Sequence, residues 1–271
     1  MADKEIFRPL KTRREFLPFL ALGGVAALTA IPRPNLFPLP REEPLDQYRD
    51  KLAASNLLGF AHNAANEKEI FELFLKSNIK NVEVDIQQKN GVLYVAHHTR
   101  EMHSLRWIQP ESIDAEIILA SITLQGINPH FDLKSSVANP VGTRLFRELM
   151  EDEKKVPPHL EVTISSQQWP LITSLLGSKR PHRSLFTIED WRKLPRFQEF
   201  LENLDTPWEN IGISLKNNLA TREVVEHFSN LGLQVVVWTV DWPKRALELS
   251  SWGARGITSD KPQLLEALNP K

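Results

Sequence analysis

The chain has 271 residues, of which 41% are hydrophobic and 25% are charged, and its formal net charge is −1. This balance is ordinary for a globular protein and is typical of neither a nucleic-acid binder nor a protein that binds acidic membranes. No cysteine is present, which excludes disulfides, thiolate metal sites and a cysteine nucleophile. We therefore expect one large folded domain, for which this length is sufficient.

The first forty residues differ in character from the rest. A basic start that includes Arg13 and Arg14 leads into an apolar segment over residues 16–30, which is shorter than the ~20 residues that a membrane span needs. The string Thr-Arg-Arg-Glu-Phe-Leu over residues 12–17 resembles the twin-arginine export motif. We predict a signal peptide over residues 1–30, the twin-arginine export machinery as a partner, and an exported, periplasmic location in a bacterium. An uncleaved membrane anchor is the alternative.

A proline-rich segment over residues 31–44 follows and predicts an extended linker. From there, short apolar runs alternate with amphipathic segments at intervals of about 20 to 35 residues, a pattern typical of repeated β-α units. Strands are predicted over residues 57–62, 81–86, 130–134, 160–165, 184–188, 211–215, 234–240 and 256–258. Helices are predicted over residues 67–77, 141–152, 168–176, 222–231 and 244–251. Eight such strands predict an α/β fold, a closed (β/α)₈ TIM barrel over residues 45–271.

One predicted strand alternates apolar and acidic residues, in the order Asn-Val-Glu-Val-Asp-Ile over residues 81–86. Alternation places Glu83 and Asp85 on one face, roughly 6.6 Å apart at their Cα atoms. Two carboxylates so placed repel each other unless a cation lies between them, and Mg²⁺ or Ca²⁺ prefers such ligands. After this strand, Lys89-Asn90-Gly91 predicts a turn into an added strand over residues 92–96.

Other polar residues also fall where predicted barrel strands end, which is where such barrels place their catalytic side chains. His62 ends the first strand, His97 follows the added strand, Asp132 and Lys134 end the next strand, and Trp238 lies near the end of a late one. The residues alone therefore indicate a site with acids, histidines and a lysine at one end of the barrel.

The pattern resembles the glycerophosphodiester phosphodiesterases, which belong to the phospholipase-C-like phosphodiesterase barrels. The elements that carry this resemblance are Ala-His at residues 61–62, Glu-x-Asp at 83–85, the Gly91 turn leading to His97, Asp-x-Lys at 132–134, and the closing segments at 237–241 and 256–262. It implies hydrolysis of glycerophosphodiesters to glycerol phosphate and an alcohol, with one divalent cation, Mg²⁺ or Ca²⁺. By this resemblance, the metal ligands would be Glu83, Asp85 and Asp132. The acid-base catalysts would be His62 and His97. The substrate would be contacted by Lys134, Asn63 and Trp238.

The chain departs from the family pattern at two positions. Asn63 stands where the enzymes usually have Arg, and His98 stands where they usually have Asp. Neighbouring strand residues face opposite ways, and counting from Gly91 favours His97 over His98 as the catalytic residue. Similarities to menorin-type and sphingomyelinase-D-like barrels leave two alternatives open. These are a phospholipase-D-like activity on the same scaffold and a barrel that binds a phosphorylated ligand or a partner without turnover.

Overall fold

The computed structural model describes residues 44–62, 79–95, 122–205 and 209–269. The strands in these ranges are β1 Leu58–Ala61, β2 Asn81–Lys89, β3 Val92–Val95, β4 Asn128–Leu133, β5 Thr163–Ser166, β6 Arg183–Ile188, β7 Ile211–Lys216, β8 Gln234–Trp238 and β9 Gly256–Ser259. The α-helices are α1 Arg49–Ala53, α2 Pro140–Glu151, α3 Trp169–Leu175, α4 Lys193–Glu202, α5 Arg222–Asn230, α6 Pro243–Ser251 and α7 Pro262–Leu268. Short 3₁₀ turns occupy Leu45–Tyr48, Ser135–Val137 and Asn217–Leu219.

Eight of the strands form a closed parallel barrel. Their order is β1-β2-β4-β5-β6-β7-β8-β9, and β1 closes the circle because it pairs in parallel with both β2 and β9. The helices that follow β4, β5, β6, β7, β8 and β9 make each of these units a β-α repeat. The predicted (β/α)₈ architecture is therefore present as an eight-stranded parallel barrel with flanking helices.

Strand β3 lies outside this circle and pairs antiparallel with the far half of β2. The turn between them is Asn90-Gly91, and both residues have positive φ angles, 51° and 78°. Two such residues are the requirement of the tight turn that joins twisted antiparallel strands. The predicted hairpin is confirmed, and it extends β2 beyond the barrel rim.

The barrel strands are buried on both faces, as the Val-Val-Val run of β8 illustrates. One face packs outward against the helices, and the other points into the barrel. At the N-terminal end of the interior, Phe60, Leu185 and Val236 form a small apolar cluster. Gly212 makes room for it, since a Cβ there would lie 2.7 Å from Leu185 Cδ2. The interior toward the other end is polar.

Helix starts agree with local sequence. Asn139 accepts a hydrogen bond from the backbone N–H of Gly142 at 2.9 Å, and Pro140 occupies the first turn of α2, where its missing N–H costs nothing. Thr221 caps α5 in the same way through Val224. No helix among the described residues is long and apolar enough to cross a membrane.

Most predicted elements have the predicted bounds within one or two residues. The largest differences, of three residues each, are in β2, which ends at Lys89 instead of residue 86, and β5, which begins at Thr163 instead of residue 160. β5 starts late because Leu160 closes a turn with Pro157 and the Glu161 N–H bonds the Asn128 side chain. The predicted helix over residues 67–77, the signal segment and most of the linker lie outside the described residues.

Candidate active site

Strands β2 and β4 bring three carboxylates together at the end of the barrel where the parallel strands finish, the opening called the mouth below. Parallel pairing makes Asp85 the register partner of Asp132, and Glu83 the partner of His130. Ligand atoms of Glu83, Asp85 and Asp132, the acidic cluster, all lie within 4.8 Å of one another. Asp85 is fully buried and Glu83 is only 8% exposed. The alternation of β2 thus does aim its two acids into the barrel.

Lys134 supplies positive charge to this cluster. Its Nζ lies 2.7 Å from Asp85 Oδ1 and also contacts Asp132 Oδ2. Burial alone would lower the pKa of Lys134, but the two carboxylates outweigh it and raise the pKa above the ordinary value. The lysine therefore stays charged, and three carboxylates face one ammonium.

Glu83 lies deepest in the cluster. Its Oε2 atom is buried and has no hydrogen-bond partner among the described residues. Burial, reinforced by the charges of Asp85 and Asp132, raises the pKa of Glu83 to about 8, although His62 and Lys134 oppose the shift. A buried carboxylate oxygen without a donor is costly. Its position beside two further carboxylates suits a hard divalent cation, which takes oxygen ligands at about 2.0 to 2.6 Å.

His62 directly follows β1 and lies close enough to Glu83 for their charges to interact. Its Nδ1 lies 2.7 Å from Asp260 Oδ1. Burial would lower the pKa of His62, but the bond to Asp260 and the charges of Glu83 and Asp85 together raise it to about 9. Asp260 is held in turn, because its N–H donates to Asp241 Oδ1 at 2.9 Å. The ring is thus fixed and carries a proton at neutral pH.

His130 and Ser165 support Asp132 from below. Ser165 Oγ donates to Asp132 Oδ1 at 2.8 Å and lies 2.9 Å from His130 Nε2. Because the serine proton goes to Asp132, the imidazole N–H must donate to Ser165. Burial is the main reason that the pKa of His130 falls to about 3, so the ring is neutral. His130 is therefore placed to orient Asp132 through Ser165.

Two residues of this network, Ser165 and Asp260, are not among the predicted site residues. Ser165 is the second-last residue of β5, and a serine near a strand end is too common to identify a site from the sequence. Asp260 follows the last strand, and the pairing of first and last strands in a closed barrel would place it beside His62. Trp238, predicted to contact substrate, is half-buried at the mouth end of β8. The predicted residues Asn63 and His97, and the neighbouring His98, lie outside the described residues.

Comparison with known proteins adds the relatives of the fold. No protein-family model matches this sequence, and no protein of curated function matches it. Among solved structures, an Oleispira antarctica phosphodiesterase in complex with the product sn-glycerol-3-phosphate is similar with a TM-score of 0.63 and 19% identity, over 80% of this chain and 99% of that one.

Two further similar structures are glycerophosphodiester phosphodiesterases. The one from Parabacteroides distasonis has a TM-score of 0.59 and 18% identity, over 78% of this chain and 95% of its own. The one from Thermotoga maritima has a TM-score of 0.56 and 15% identity, over 78% of this chain and 97% of its own. The resemblance predicted from motifs is thus present in three dimensions, and the chain has the barrel fold of these phosphodiesterases.

Proposed function

We propose that this chain is a phosphoric diester hydrolase that cleaves glycerophosphodiesters to glycerol phosphate and an alcohol with the help of one divalent cation. The observation that carries the proposal is the joint position of the acidic cluster, Lys134 and protonated His62 in one polar mouth. Perturbed titratable groups that converge in this way are typical of catalytic sites. The similar solved phosphodiesterases support the same reading.

The acidic cluster fits Mg²⁺ or Ca²⁺. Its three carboxyl groups offer ligand atoms within 4.8 Å of one another, and the Glu83 Oε2 atom lacks a donor among the described residues. Glu83, Asp85 and Asp132 would hold the ion. When bound, the cation would act as a Lewis acid on a non-bridging phosphoryl oxygen.

The chain's own residues supply the remaining requirements. Lys134 adds a fixed positive charge where the phosphoryl group gains negative charge. His62 is protonated at neutral pH and can give its proton to the leaving alcohol oxygen, while Asp260 holds the ring in place. We propose His97 as the partner that takes a proton from the nucleophile. Trp238 lines the mouth on the substrate side.

The role of His97 can be tested by comparison with its neighbour. His97→Ala should lower turnover by about 10² to 10⁴, whereas His98→Ala should have a smaller effect, because neighbours on a strand face opposite ways. Phosphodiester turnover across pH, with circular dichroism as a check on folding, distinguishes them. A near-parental His97→Ala beside an inactive His98→Ala would show that His98, and not His97, is the catalytic residue.

The function itself is tested by incubating the chain with bis(p-nitrophenyl) phosphate and a panel of glycerophosphodiesters, with chelator, Mg²⁺ or Ca²⁺. The expected result is release of glycerol phosphate, followed by ³¹P NMR, that requires added cation and is lost in Glu83→Gln. Binding of the diesters without any cleavage would instead support a barrel that holds a phosphorylated ligand without turnover.

We also propose that the chain is exported through the twin-arginine pathway. The support is the Arg13-Arg14 pair directly before a short apolar segment. Replacing both arginines with Lys should retain the full-length precursor inside a bacterial host that has this pathway. Unchanged arrival of a mature form in the periplasm would show that the chain leaves by another route.

A further inference from the structure

Lys216 has no role in the chemistry proposed above, yet it points into the mouth. It ends β7 and is the register partner of Trp238, the last residue of β8. Along these strands Lys216 follows Ser214, and Trp238 follows Val236, by two residues each. Since Val236 belongs to the apolar cluster inside the barrel and strand side chains alternate, both terminal residues face inward at the rim.

The pair stands across the mouth from the acidic cluster. In the order of the barrel, β7 is four strands from β2, and β8 is four strands from β4, so each faces its counterpart. Strands about 4.8 Å apart and tilted by about 36° give an eight-stranded barrel roughly 15 Å across between Cα atoms. Long side chains from both walls fill much of that width. A phosphodiester held at the acidic cluster would therefore present its alcohol portion to Lys216 and Trp238.

Two side chains on this opposite side of the mouth, Lys216 and Trp238, have donor groups without an acceptor among the described residues. Lys216 is exposed to solvent and makes no ion pair within the described part of the chain, and its Nζ lies 5.9 Å from the centroid of the Trp238 ring. The indole Nε1 of Trp238 is buried and has no hydrogen-bond partner among the described residues. The carboxylate of Glu189, which follows the neighbouring strand β6, is already engaged by Gln167 Nε2 at 2.9 Å and Lys193 Nζ at 3.8 Å.

We propose that Lys216 and Trp238 form a subsite for an alcohol group that carries a carboxylate or another anionic, acceptor-rich group. This inference rests on the proposed function, whose substrate class it narrows. An acceptor there would satisfy the indole N–H and pair with the ammonium. A cationic amino alcohol without such a group would be disfavoured. The face of the Trp238 ring that could bind its ammonium group already lies beside the charged Lys216.

The matched substrates for a test are the glycerophosphodiesters of serine and ethanolamine, which differ only by the carboxylate of serine. We expect kcat/KM to favour the serine diester by about fivefold, the upper end for an exposed ion pair. Lys216→Met, which keeps the length of the side chain and removes its charge, should bring the ratio close to one. The control is Lys154→Met, which removes an exposed charge beyond the opposite end of the barrel and should keep the parental ratio.

The outcomes separate this inference from the proposed function. Hydrolysis with a ratio that Lys216→Met leaves unchanged would overturn the subsite and keep the function. If neither diester is hydrolysed, calorimetric titration of both diesters in the presence of Mg²⁺ decides the question. A loss of about fivefold in affinity, confined to the serine diester and to Lys216→Met, would support the subsite alone. Equal affinities in all proteins would overturn both.

Discussion

The N-terminal end of the barrel carries a cavity of about 560 Å³, and the mouth at the other end carries the acidic cluster. Charged residues line both ends of the barrel, but they differ in how fully their hydrogen bonds and charges are paired. Around the cavity, Arg183 pairs with Glu161 at 2.5 Å, and Arg180 donates to backbone carbonyls, including Pro157 O at 2.6 Å and Leu160 O at 3.0 Å. These charges hold the loop before β5 in place.

At the mouth, Asp85 and Asp132 share Lys134, and a buried Glu83 oxygen has no donor among the described residues. Burial raises the pKa of Glu83 to about 8, and the bond to Asp260 together with the nearby carboxylates raises the pKa of His62 to about 9 against the effect of burial. The two ends therefore differ in how the environment acts on their charged groups. Groups whose environment shifts their pKa strongly are typical of catalytic sites. Three experiments compare the two ends directly, and a fourth compares two neighbouring residues at the mouth.

The largest expected effect comes from removing a histidine at each end. His62→Ala should lower phosphodiester turnover by about 10² to 10⁴ because the leaving oxygen loses its proton donor. His159→Ala, an exposed histidine that lines the N-terminal cavity, should leave turnover unchanged. Steady-state kinetics on purified variants, with circular dichroism to confirm folding, make the comparison. Equal losses in both variants would mean that the N-terminal cavity takes part in the reaction.

The second experiment measures stabilisation by the cation. A ligand at 100 times its dissociation constant adds about 2.7 kcal/mol to the free energy of unfolding, which for a domain of this size raises Tm by about 5 to 10 °C. Mg²⁺ or Ca²⁺ should produce such a shift in the parent and far less in Glu83→Gln. The control Glu161→Gln changes a carboxylate at the other end and should keep the full shift. A shift that survives in Glu83→Gln would remove the metal from the acidic cluster.

Features that depend on neighbouring residues in the sequence are easier to predict than contacts between residues far apart in the sequence. The alternation of Glu83 and Asp85 with valines and the Asn90-Gly91 turn are local patterns, and the structure matches both. Helix α4 is different, because it contains Pro195 and a mixed charge pattern that hide its start, although proline is tolerated in a first turn. Local propensity alone does not predict such a helix.

Contacts between distant parts of the chain are harder to predict. Asp260 is 198 residues from His62 in sequence, and the two meet only because β1 and β9 close the barrel. Ser165 joins Asp132 to His130 through strand register that the sequence does not fix. The acidic cluster can be predicted because β2 carries two of its three residues, whereas Ser165, which bonds Asp132, comes from another strand.

The third experiment concerns the charge on His62. Its folded-state pKa of about 9 exceeds the ordinary value of 6.5, so protonation stabilises the fold below pH 6.5, and this contribution is lost as pH rises through 9. Asp260→Asn removes the charged partner and should lower the pKa by about one to two units, the equivalent of a hydrogen bond between charged groups. NMR titration of labelled histidines in the presence of chelator measures this shift.

His182 is the matched histidine at the other end for this titration. Burial lowers its pKa, and its Nδ1 bonds the Arg180 carbonyl. Because neither of these causes involves Asp260, Asp260→Asn should leave the titration of His182 unchanged. A His62 pKa that stays the same in the variant would show that the neighbouring carboxylates, Glu83 and Asp85, are sufficient without Asp260.

The smallest expected effect separates two adjacent serines on β5. Ser165 bonds Asp132 and His130, while Ser166 Oγ donates to Leu133 O at 2.6 Å and accepts from the Gln168 N–H at 3.1 Å. Each hydroxyl is buried with two partners, so each Ser→Ala change should cost about 1 kcal/mol of unfolding free energy. Urea denaturation measures this cost.

Only Ser165→Ala should also weaken cation binding, by about tenfold, because Asp132 then loses a bond that orients it. Calorimetric titration with Mg²⁺ or Ca²⁺ makes the distinction. Equal cation affinity in the two variants would show that Lys134 alone fixes the Asp132 carboxylate, and the chain from His130 through Ser165 would then contribute to packing without tuning the site.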